Sequence, residues 1–200
     1  MGEGPGLLAG FGWTVGTSSD LEADDVMFSY ARVEEESGGR GLLLTGDRDL
    51  FGAVSEHVAV VELHKGEPVD VGPADVLERY GIGPELVSDF IALRGDPSDG
   101  LPGAPGIGAK TAAELLGRYG SLEDVLGAAD AAASEMRPRT AAALRENDQL
   151  LRTFKRIAML QRIDVERPAD HPTDFAQGAV VARELGMKRL AERLETLAGS

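Results

Sequence analysis

The sequence contains no cysteine and no long hydrophobic run, and both absences narrow its class. Without cysteine there is no disulfide scaffold and no thiolate metal site, so the chain suits a reducing compartment. No apolar run approaches the roughly 18 residues that a membrane span needs, and the N-terminal stretch MGEGPGLLAGFGWTVG has no basic region before its short apolar segment. We therefore predict a cytoplasmic globular protein that does not bind membranes.

Positive charge is scarce in the first half of the chain. Of the 20 Lys and Arg residues, 6 fall within residues 1–100, which hold 20 of the 34 Asp and Glu residues, whereas residues 101–200 hold 14 of each kind. The net charge of −14 therefore belongs entirely to the first half. An acidic protein repels nucleic-acid phosphates, but an acidic half can hold metal ions while a neutral, arginine-rich half presents a basic surface.

The hydrophobic pattern changes along the chain from alternating helices and strands to helices alone. A helix is predicted over residues 21–36, followed by short apolar strands at 42–46 and 57–63, which is the pattern of a parallel α/β sheet. The later periodic segments are helical, namely residues 73–80, 84–94, 109–119, 121–128, 137–160, 177–185 and 188–197. We predict an α/β core over residues 1–72 and a helical region over residues 73–200.

Three short motifs concentrate carboxylates at the start of a helix, after a strand and in a glycine-proline loop. They are LEADD, TGDRD and GDPSD, and their acids are Glu22, Asp24, Asp25, Asp47, Asp49, Asp96 and Asp99. For any one motif alone, helix-dipole and turn preferences are the simpler explanation. Because strand ends and helix starts share one edge of a parallel sheet, we expect the first two motifs to meet there, and such crowded carboxylates need cations between them. Oxygen ligands without cysteine indicate Mg²⁺ or Mn²⁺.

The string PGAPGIGAKTAAELL predicts a helix-hairpin-helix over about residues 84–119. The glycines at 106 and 108 allow a ligand to approach the backbone closely, and the N–H groups of residues 107–110 at a helix N-terminus suit a nucleic-acid phosphate. The predicted DNA-binding residues are Gly106, Ile107, Gly108, Ala109, Lys110 and Thr111. A structural turn with a solvated lysine is the alternative interpretation.

Four segments together carry a resemblance to a known family. They are LEADD, LLLTGDRDLF, DFIALRGDPSDGLPGAPGIGAKTAAELLGRYGSLEDVL and ARELGMKRLAERLETL. From about Leu7 to the C-terminus the chain resembles the 5′-3′ exonuclease and flap endonuclease family, as found in the N-terminal domain of bacterial DNA polymerase I and in free-standing relatives. The resemblance implies a PIN-like α/β nuclease core with a two-metal site, a helical DNA-binding region, and a monovalent cation at the hairpin. The implied partner is DNA of replication and repair, as 5′ flaps, duplex ends and nicked duplex.

The resemblance also assigns roles to the acids. The implied catalytic ligands near the first metal are Glu22, Asp24 and Asp47, and those near the second are Asp49, Asp96 and Asp99. Asp25 also matches the family motif, and the resemblance includes it among the metal-binding residues.

The N-terminus departs from the family pattern. The family begins with acidic strand ends and a basic arch, whereas the 19 residues before Asp20 contain no Asp, Lys or Arg. We therefore expect a member lacking about its first third, whose PIN-like core is partial. Its exposed edge at LLLTG is then expected to self-associate or to accept a missing N-terminal segment.

Three functions remain open at this point. The first is a divalent-metal-dependent 5′-3′ exonuclease or 5′-flap endonuclease whose hydrolysis is weakened by incomplete first-metal ligands. The second is a non-catalytic helix-hairpin-helix module that binds duplex phosphates. The third is a PIN-type ribonuclease, which suits the acidic cluster but not the hairpin.

Overall fold

Helices make up most of the secondary structure, and a small sheet is formed by residues in the N-terminal half of the chain. The computed structural model describes residues 4–16, 21–131 and 135–199. Within these ranges the α-helices are α1 (Gly4–Gly10), α2 (Ala23–Glu36), α3 (Pro73–Tyr80), α4 (Val87–Arg94), α5 (Ala109–Tyr119), α6 (Leu122–Asp130), α7 (Pro138–Ala158), α8 (Phe175–Glu184) and α9 (Lys188–Ala198). The strands are β1 (Gly41–Leu44), β2 (Val58–His64) and β3 (Glu67–Val71), and 3-10 helices occupy Asp49–Ala53 and Pro84–Leu86. The chain divides into a larger unit, Glu22–Val165, and a smaller one, Met1–Leu21 with Glu166–Ser200.

The sheet of the larger unit has the strand order β1-β2-β3. β1 and β2 pair in parallel, with Gly41 opposite Val58, which confirms the predicted pair of parallel strands. β3 returns antiparallel to β2 through a turn at Lys65 and Gly66, both of which have positive φ angles. The sheet is therefore mixed. The sequence analysis missed β3 because Pro68 interrupts its short run, and proline is confined to edge strands such as this one.

The core of the larger unit is built from the sheet, the first 3-10 helix and helices α4 to α7. α7 contributes an apolar stripe to this core, and most of its buried residues recur at helical spacing: Ala141, Leu144, Leu151, Phe154 and Ala158. On the same helix, the Nζ of Lys155 lies 2.6 Å from Oδ1 of the buried Asp89 of α4, as an ion pair whose angles fall outside hydrogen-bond geometry. α4 is thereby held against α7, and this fixes where the loop after α4 begins.

Most predicted helices are confirmed, and two of them, α3 and α5, have the predicted bounds. The predicted helix over residues 84–94 is divided into a 3-10 turn and α4. α1 was not predicted, because three of its seven residues are glycine, which lowers helix propensity.

The smaller unit packs α1, α8 and α9 around a second, smaller core. Phe11 is its largest buried side chain, and a Cβ added to Gly178 of α8 would lie 2.5 Å from the Phe11 ring. The close approach of α8 to this ring therefore needs glycine at position 178. In the described parts of the chain, no helix is both long and apolar enough to span a membrane.

Candidate functional site

An acidic cleft of about 310 Å³ in the larger unit brings together six of the seven predicted carboxylates. They come from the start of α2, from the turn after β1 and from the loop after α4: Glu22, Asp24, Asp25, Asp47, Asp49 and Asp99. The remaining lining residues, 157–160 at the end of α7, are all apolar. The end of α7 therefore supplies no positively charged side chain to balance the carboxylates on the other side of the cleft.

The turn after β1 is held by its own aspartates. The Asp47 N–H donates to Thr45 Oγ1 at 3.0 Å, and Asp47 Oδ1 accepts the Asp49 N–H at 3.0 Å. This turn begins the first 3-10 helix, whose Leu50 and Phe51 are almost completely buried. The two buried side chains anchor the turn in the core and so fix the position of Asp49 at the cleft.

The loop after α4 is closed by a backbone bridge. Asp96 and Leu101 exchange two backbone hydrogen bonds of 2.8 Å each. Asp96 does not line the acidic cleft; together with Asp49 it borders a small apolar cavity beside it. Asp99 lies on the exposed part of the same loop and lines the acidic cleft with Asp49, whose pKa its charge helps to raise. The loop thus places one aspartate in the cleft and one next to it.

Electrostatic crowding is strongest at Asp49. Burial, together with the nearby charges of Asp47 and Asp99, raises the pKa of Asp49 to about 7. Burial and then the charge of Asp47 also raise the pKa of Asp24. The pKa of Asp96 is lowered, chiefly by the hydrogen bond from the Ser98 hydroxyl. The cleft therefore carries more negative charge than its own surroundings stabilise, and a bound cation would relieve this.

The cleft fits a divalent cation by donor chemistry and by charge, but it is not preformed as a ligand set. Within residues 4–16, 21–131 and 135–199, no three Asp, Glu or His side chains are arranged to hold one metal ion as they stand. The donors are all carboxylate oxygens, the type that Mg²⁺ and Mn²⁺ prefer. Binding an ion would therefore require the side chains to move closer together against their mutual repulsion.

Asp25 has a different environment from the other acids. Its Oδ1 accepts the Gln161 N–H at 2.7 Å, and its backbone oxygen accepts the hydroxyl of the buried Ser29 at 2.7 Å. The same hydroxyl accepts the Ile163 N–H at 2.9 Å. Asp25 and Ser29 thus attach the segment after α7 to α2. Sequence analysis missed this role of Ser29, although a serine on the apolar side of a predicted helix was a usable signal.

The hairpin is formed by α4 and α5 with a connection of residues 95–108. Gly95 and Gly103, with φ of +84° and +67°, lie against each other in this connection. A Cβ added to Gly103 would lie 2.4 Å from the Gly95 nitrogen, so no side chain fits there. The Ala104 N–H donates to Leu93 O at 2.9 Å and joins the connection to α4. The shape of the hairpin connection is therefore set by its own backbone contacts.

The predicted DNA-binding residues divide into an exposed group and one core residue. Ile107 is buried, and its N–H already donates to Ala104 O at 3.0 Å, so it does not present the N–H that was assigned to a phosphate. The other residues lie on the surface or at its edge, with the Lys110 side chain 91% exposed. The donors at the start of α5 remain, namely the N–H groups of Ala109, Lys110 and Thr111, which precede the first intrahelical hydrogen bond.

The two glycines of the motif differ in conformation. Gly106 has a φ of +80°, so glycine is favoured there, and a Cβ would meet no atom within 4 Å. Gly108 has a φ of −93° and caps α5 in extended backbone that any residue adopts. Close approach of a ligand therefore depends on open space at both positions, and on left-handed backbone at Gly106 alone.

Two family models together match most of the chain. Residues 5–81 match the 5′-3′ exonuclease N-terminal resolvase-like domain, and residues 82–177 match the 5′-3′ exonuclease C-terminal SAM fold. The chain belongs to the 5′-3′ exonuclease family. This membership confirms the resemblance carried by the acidic motifs and the hairpin.

Some relatives within the 5′-3′ exonuclease family are much longer than this chain. The 5′-3′ exonuclease of Mycobacterium tuberculosis is 35% identical over 219 residues, covering 96% of this chain and 66% of the relative. DNA polymerase I of Mycobacterium bovis is 43% identical over 143 residues, covering 70% of this chain and 15% of the relative. The thermostable DNA polymerase I of Thermus thermophilus is 42% identical over 175 residues, covering 87% and 19%. The chain thus spans under a fifth of these two polymerases.

Solved structures share the fold of this 5′-3′ exonuclease family member at low identity. A T5 5′-exonuclease with bound zinc ions has a TM-score of 0.64 at 16% identity, covering 92% of this chain and 60% of the other. The catalytic core of Rad2 in complex with DNA substrate has a TM-score of 0.62 at 18% identity, covering 96% and 67%. The α/β core followed by helices is therefore a fold common to these proteins.

Proposed function

We propose that the protein is a divalent-metal-dependent 5′-3′ exonuclease and 5′-flap endonuclease acting on DNA in replication and repair. The observation that carries the proposal is the convergence of six carboxylates in one cleft, one of which, Asp99, lies in the connection of the helix-hairpin-helix. The names of the relatives support this activity, and two structures with the same fold hold metal ions or a DNA substrate.

In this proposal the ions are Mg²⁺ or Mn²⁺, held by Glu22, Asp24, Asp47, Asp49 and Asp99, with Asp96 at the edge of the site. Bound ions supply a hydroxide nucleophile and stabilise the charge on the reacting phosphate. The carboxylates neutralise and orient the ions, and the apolar residues at the end of α7 exclude water from one side. Asp25 serves as an anchor for that apolar side, because its carboxylate already accepts a backbone N–H.

The hairpin is the proposed DNA-binding element. Free N–H groups at the start of α5, the charge of Lys110 and the hydroxyl of Thr111 together suit a backbone phosphate. Such contacts carry no base information, so 5′ flaps, duplex ends and nicked duplexes are all suitable substrates. The proposal includes three further predictions. A monovalent cation binds at the hairpin, the boundary between the α/β core and the helical region falls between residues 72 and 73, and the protein is cytoplasmic.

A fluorescent 5′-flap substrate tests the proposal. We expect cleavage with Mn²⁺ or Mg²⁺, and binding without cleavage in Ca²⁺. The double variant Asp49→Asn, Asp99→Asn should lose nearly all cleavage while keeping DNA binding, because neither residue belongs to the proposed phosphate-binding segment, residues 106–111. A matched RNA flap distinguishes the ribonuclease alternative, which predicts cleavage of the RNA flap rather than the DNA flap. Cleavage that is unchanged in the double variant would contradict the assignment of the cleft.

A non-catalytic DNA-binding module is the second candidate. The observation that favours it is that, among the described side chains, no three acids are arranged to hold one ion. It predicts equal affinity for the flap with Ca²⁺ and with EDTA, and no cleavage with any divalent ion. Binding in both conditions without cleavage in Mn²⁺ would select this function over the first.

A further inference from the structure

Arg94, the last residue of α4, makes three contacts around the start of the loop that carries two of the site aspartates. Its Nε donates to Gly95 O at 2.9 Å, and its Nη2 lies 3.2 Å from Asp96 Oδ2. Its guanidinium lies over the Phe90 ring, 5.3 Å from the centroid. Only 26% of the Arg94 side chain is exposed, so it is held in one position rather than extended into water.

These contacts complete the fixation of Asp96. The Ser98 N–H and hydroxyl both donate to Oδ1, the N–H at 2.9 Å, while Arg94 occupies one side of Oδ2. The backbone of Asp96 is already held by Leu101. A carboxylate oxygen has two lone-pair sites, so Oδ2 keeps one for another ligand. The remaining direction of Oδ2 is therefore selected before any ion arrives.

We propose that Arg94 is a positioning residue that orients the carboxylate of Asp96 for a divalent cation. The inference rests on the proposed metal-dependent function and deepens it. In this role Arg94 acts through hydrogen-bond direction, in the way that outer ligands commonly orient metal-binding groups. Its stacking on Phe90 keeps the guanidinium from following Asp96 if the carboxylate turns.

A purely electrostatic role for Arg94 makes the opposite prediction. A positive charge close to a metal site repels the incoming cation, so removing the charge would strengthen metal binding. Arg48 offers a matched control for this effect. It borders the same small apolar cavity as Asp96, and in the described part of the chain it donates no hydrogen bond to that carboxylate. Arg48 thus supplies similar charge without the orienting contact.

The test compares Mn²⁺ affinity, measured by isothermal titration calorimetry, in the parent chain, Arg94→Met and Arg48→Met. Met keeps much of the unbranched stem but donates no hydrogen bond. We expect Arg94→Met to weaken Mn²⁺ binding by about 10-fold, the lower end for loss of an orienting partner. Arg48→Met should bind Mn²⁺ as tightly as the parent or more tightly. Unchanged or tighter binding by Arg94→Met would overturn the inference.

A double-mutant cycle separates positioning from simple loss of stability. In an Asp96→Ala background the further change Arg94→Met should leave Mn²⁺ affinity unaltered or raise it slightly, because its target carboxylate is absent and only its repulsive charge is lost. An additional 10-fold loss in that background would show that Arg94 does not act through Asp96. If Arg94→Met does not fold, Arg94→Lys provides the same comparison, since it keeps the charge but lacks the planar fork.

Two outcomes separate this inference from the proposed function. If the parent chain binds no Mn²⁺, both the inference and the metal-dependent function are overturned. If the parent binds Mn²⁺ and Arg94→Met binds it equally well, only the inference is overturned.

Discussion

The acidic cleft and the hairpin connection share one loop, yet they are stabilised in opposite ways. In the cleft, burial and the nearby charges of Asp47 and Asp99 raise the pKa of Asp49 to about 7 and leave an arrangement that a cation would improve. In the hairpin connection, Gly95 and Gly103 lie in contact and the backbone groups find partners within the protein. The comparison indicates that the conformation of the cleft depends on a ligand, whereas that of the hairpin depends on its own glycines.

The largest effect is expected from Gly103→Ala. The new Cβ would lie 2.4 Å from the Gly95 nitrogen, and the φ of +67° is unfavourable for alanine. Neither backbone segment can move without breaking the α4 contact, so we expect the free energy of unfolding to fall by roughly 3 kcal/mol or more. Urea denaturation monitored by circular dichroism measures it.

Gly117→Ala is the matched control, because Gly117 lies within α5 and a Cβ there meets no atom within 4 Å. It should stabilise the protein by roughly 0.5 to 1 kcal/mol through helix propensity. Similar stability changes in the two variants would show that the glycine contact does not determine the shape of the hairpin.

The second effect is a pH dependence that arises in the cleft. The pKa of Asp49 is raised from 3.8 to about 7 in the folded protein, so the folded state binds a proton that the unfolded chain releases between these values. The contribution of Asp49 to stability is therefore present below about pH 4 and is lost as the pH rises through 7. Asp49→Asn should remove this loss and stabilise the metal-free protein at pH 8 by roughly 1 to 2 kcal/mol, after allowance for solvent screening.

Thermal melting in EDTA from pH 4 to 8 measures the difference between parent and Asp49→Asn. Millimolar Mn²⁺ should raise the melting temperature of the parent at pH 8 and raise that of the variant much less, by mass action on the folded state. A difference that does not vary with pH would remove the crowding argument. Equal melting curves of the parent in Mn²⁺ and in EDTA would remove the metal site itself.

The sequence predicts more of the structure of the hairpin than of the structure of the cleft. The glycine-rich string marks where backbone must pack closely, and α5 has the predicted bounds, because turn chemistry is local in the sequence. Which glycine has a positive φ was not accessible, since both Gly106 and Gly108 suit the motif and only the path of the chain distinguishes them.

In the cleft, sequence reasoning identified the acids but not how each is used. The convergence of the first two motifs follows from parallel-strand geometry. Asp25 and Asp24 are neighbours in one motif, and only the return of the chain after α7 gives Asp25 a backbone N–H to accept. Such a contact joins positions 136 residues apart, and no local pattern encodes it. The mixed sheet escaped prediction for a simpler reason, because β3 is short and contains Pro68.

A third, smaller effect distinguishes Asp24 from Asp25 by the sign of the stability change when each is replaced by alanine. Asp24→Ala removes a crowded charge and should stabilise the metal-free protein by about 0.5 to 1 kcal/mol. Asp25→Ala removes the acceptor of the Gln161 N–H and should destabilise it by roughly 1 to 2 kcal/mol, partly offset by lost repulsion. Denaturation in EDTA at pH 8 measures both changes. Changes of the same sign would mean that Asp25 belongs with the metal ligands rather than with the anchor.

The smallest effect concerns the hairpin surface, where Lys110→Ala should alter DNA binding and leave stability unchanged. The Lys110 Nζ lies 4.0 Å from the Glu114 carboxylate with 91% of the lysine side chain exposed, and such a pair contributes under about 1 kcal/mol. Loss of one phosphate contact should lower the magnitude of the log-log salt slope by about one unit. Glu114→Gln is the control with the opposite sign, because removing a negative charge beside the same phosphate should tighten binding. Fluorescence anisotropy of a duplex in Ca²⁺ across a salt series measures both variants. Salt slopes that coincide for the parent, Lys110→Ala and Glu114→Gln would mean that the DNA phosphates lie elsewhere, and the hairpin connection would then be only a link between two helices.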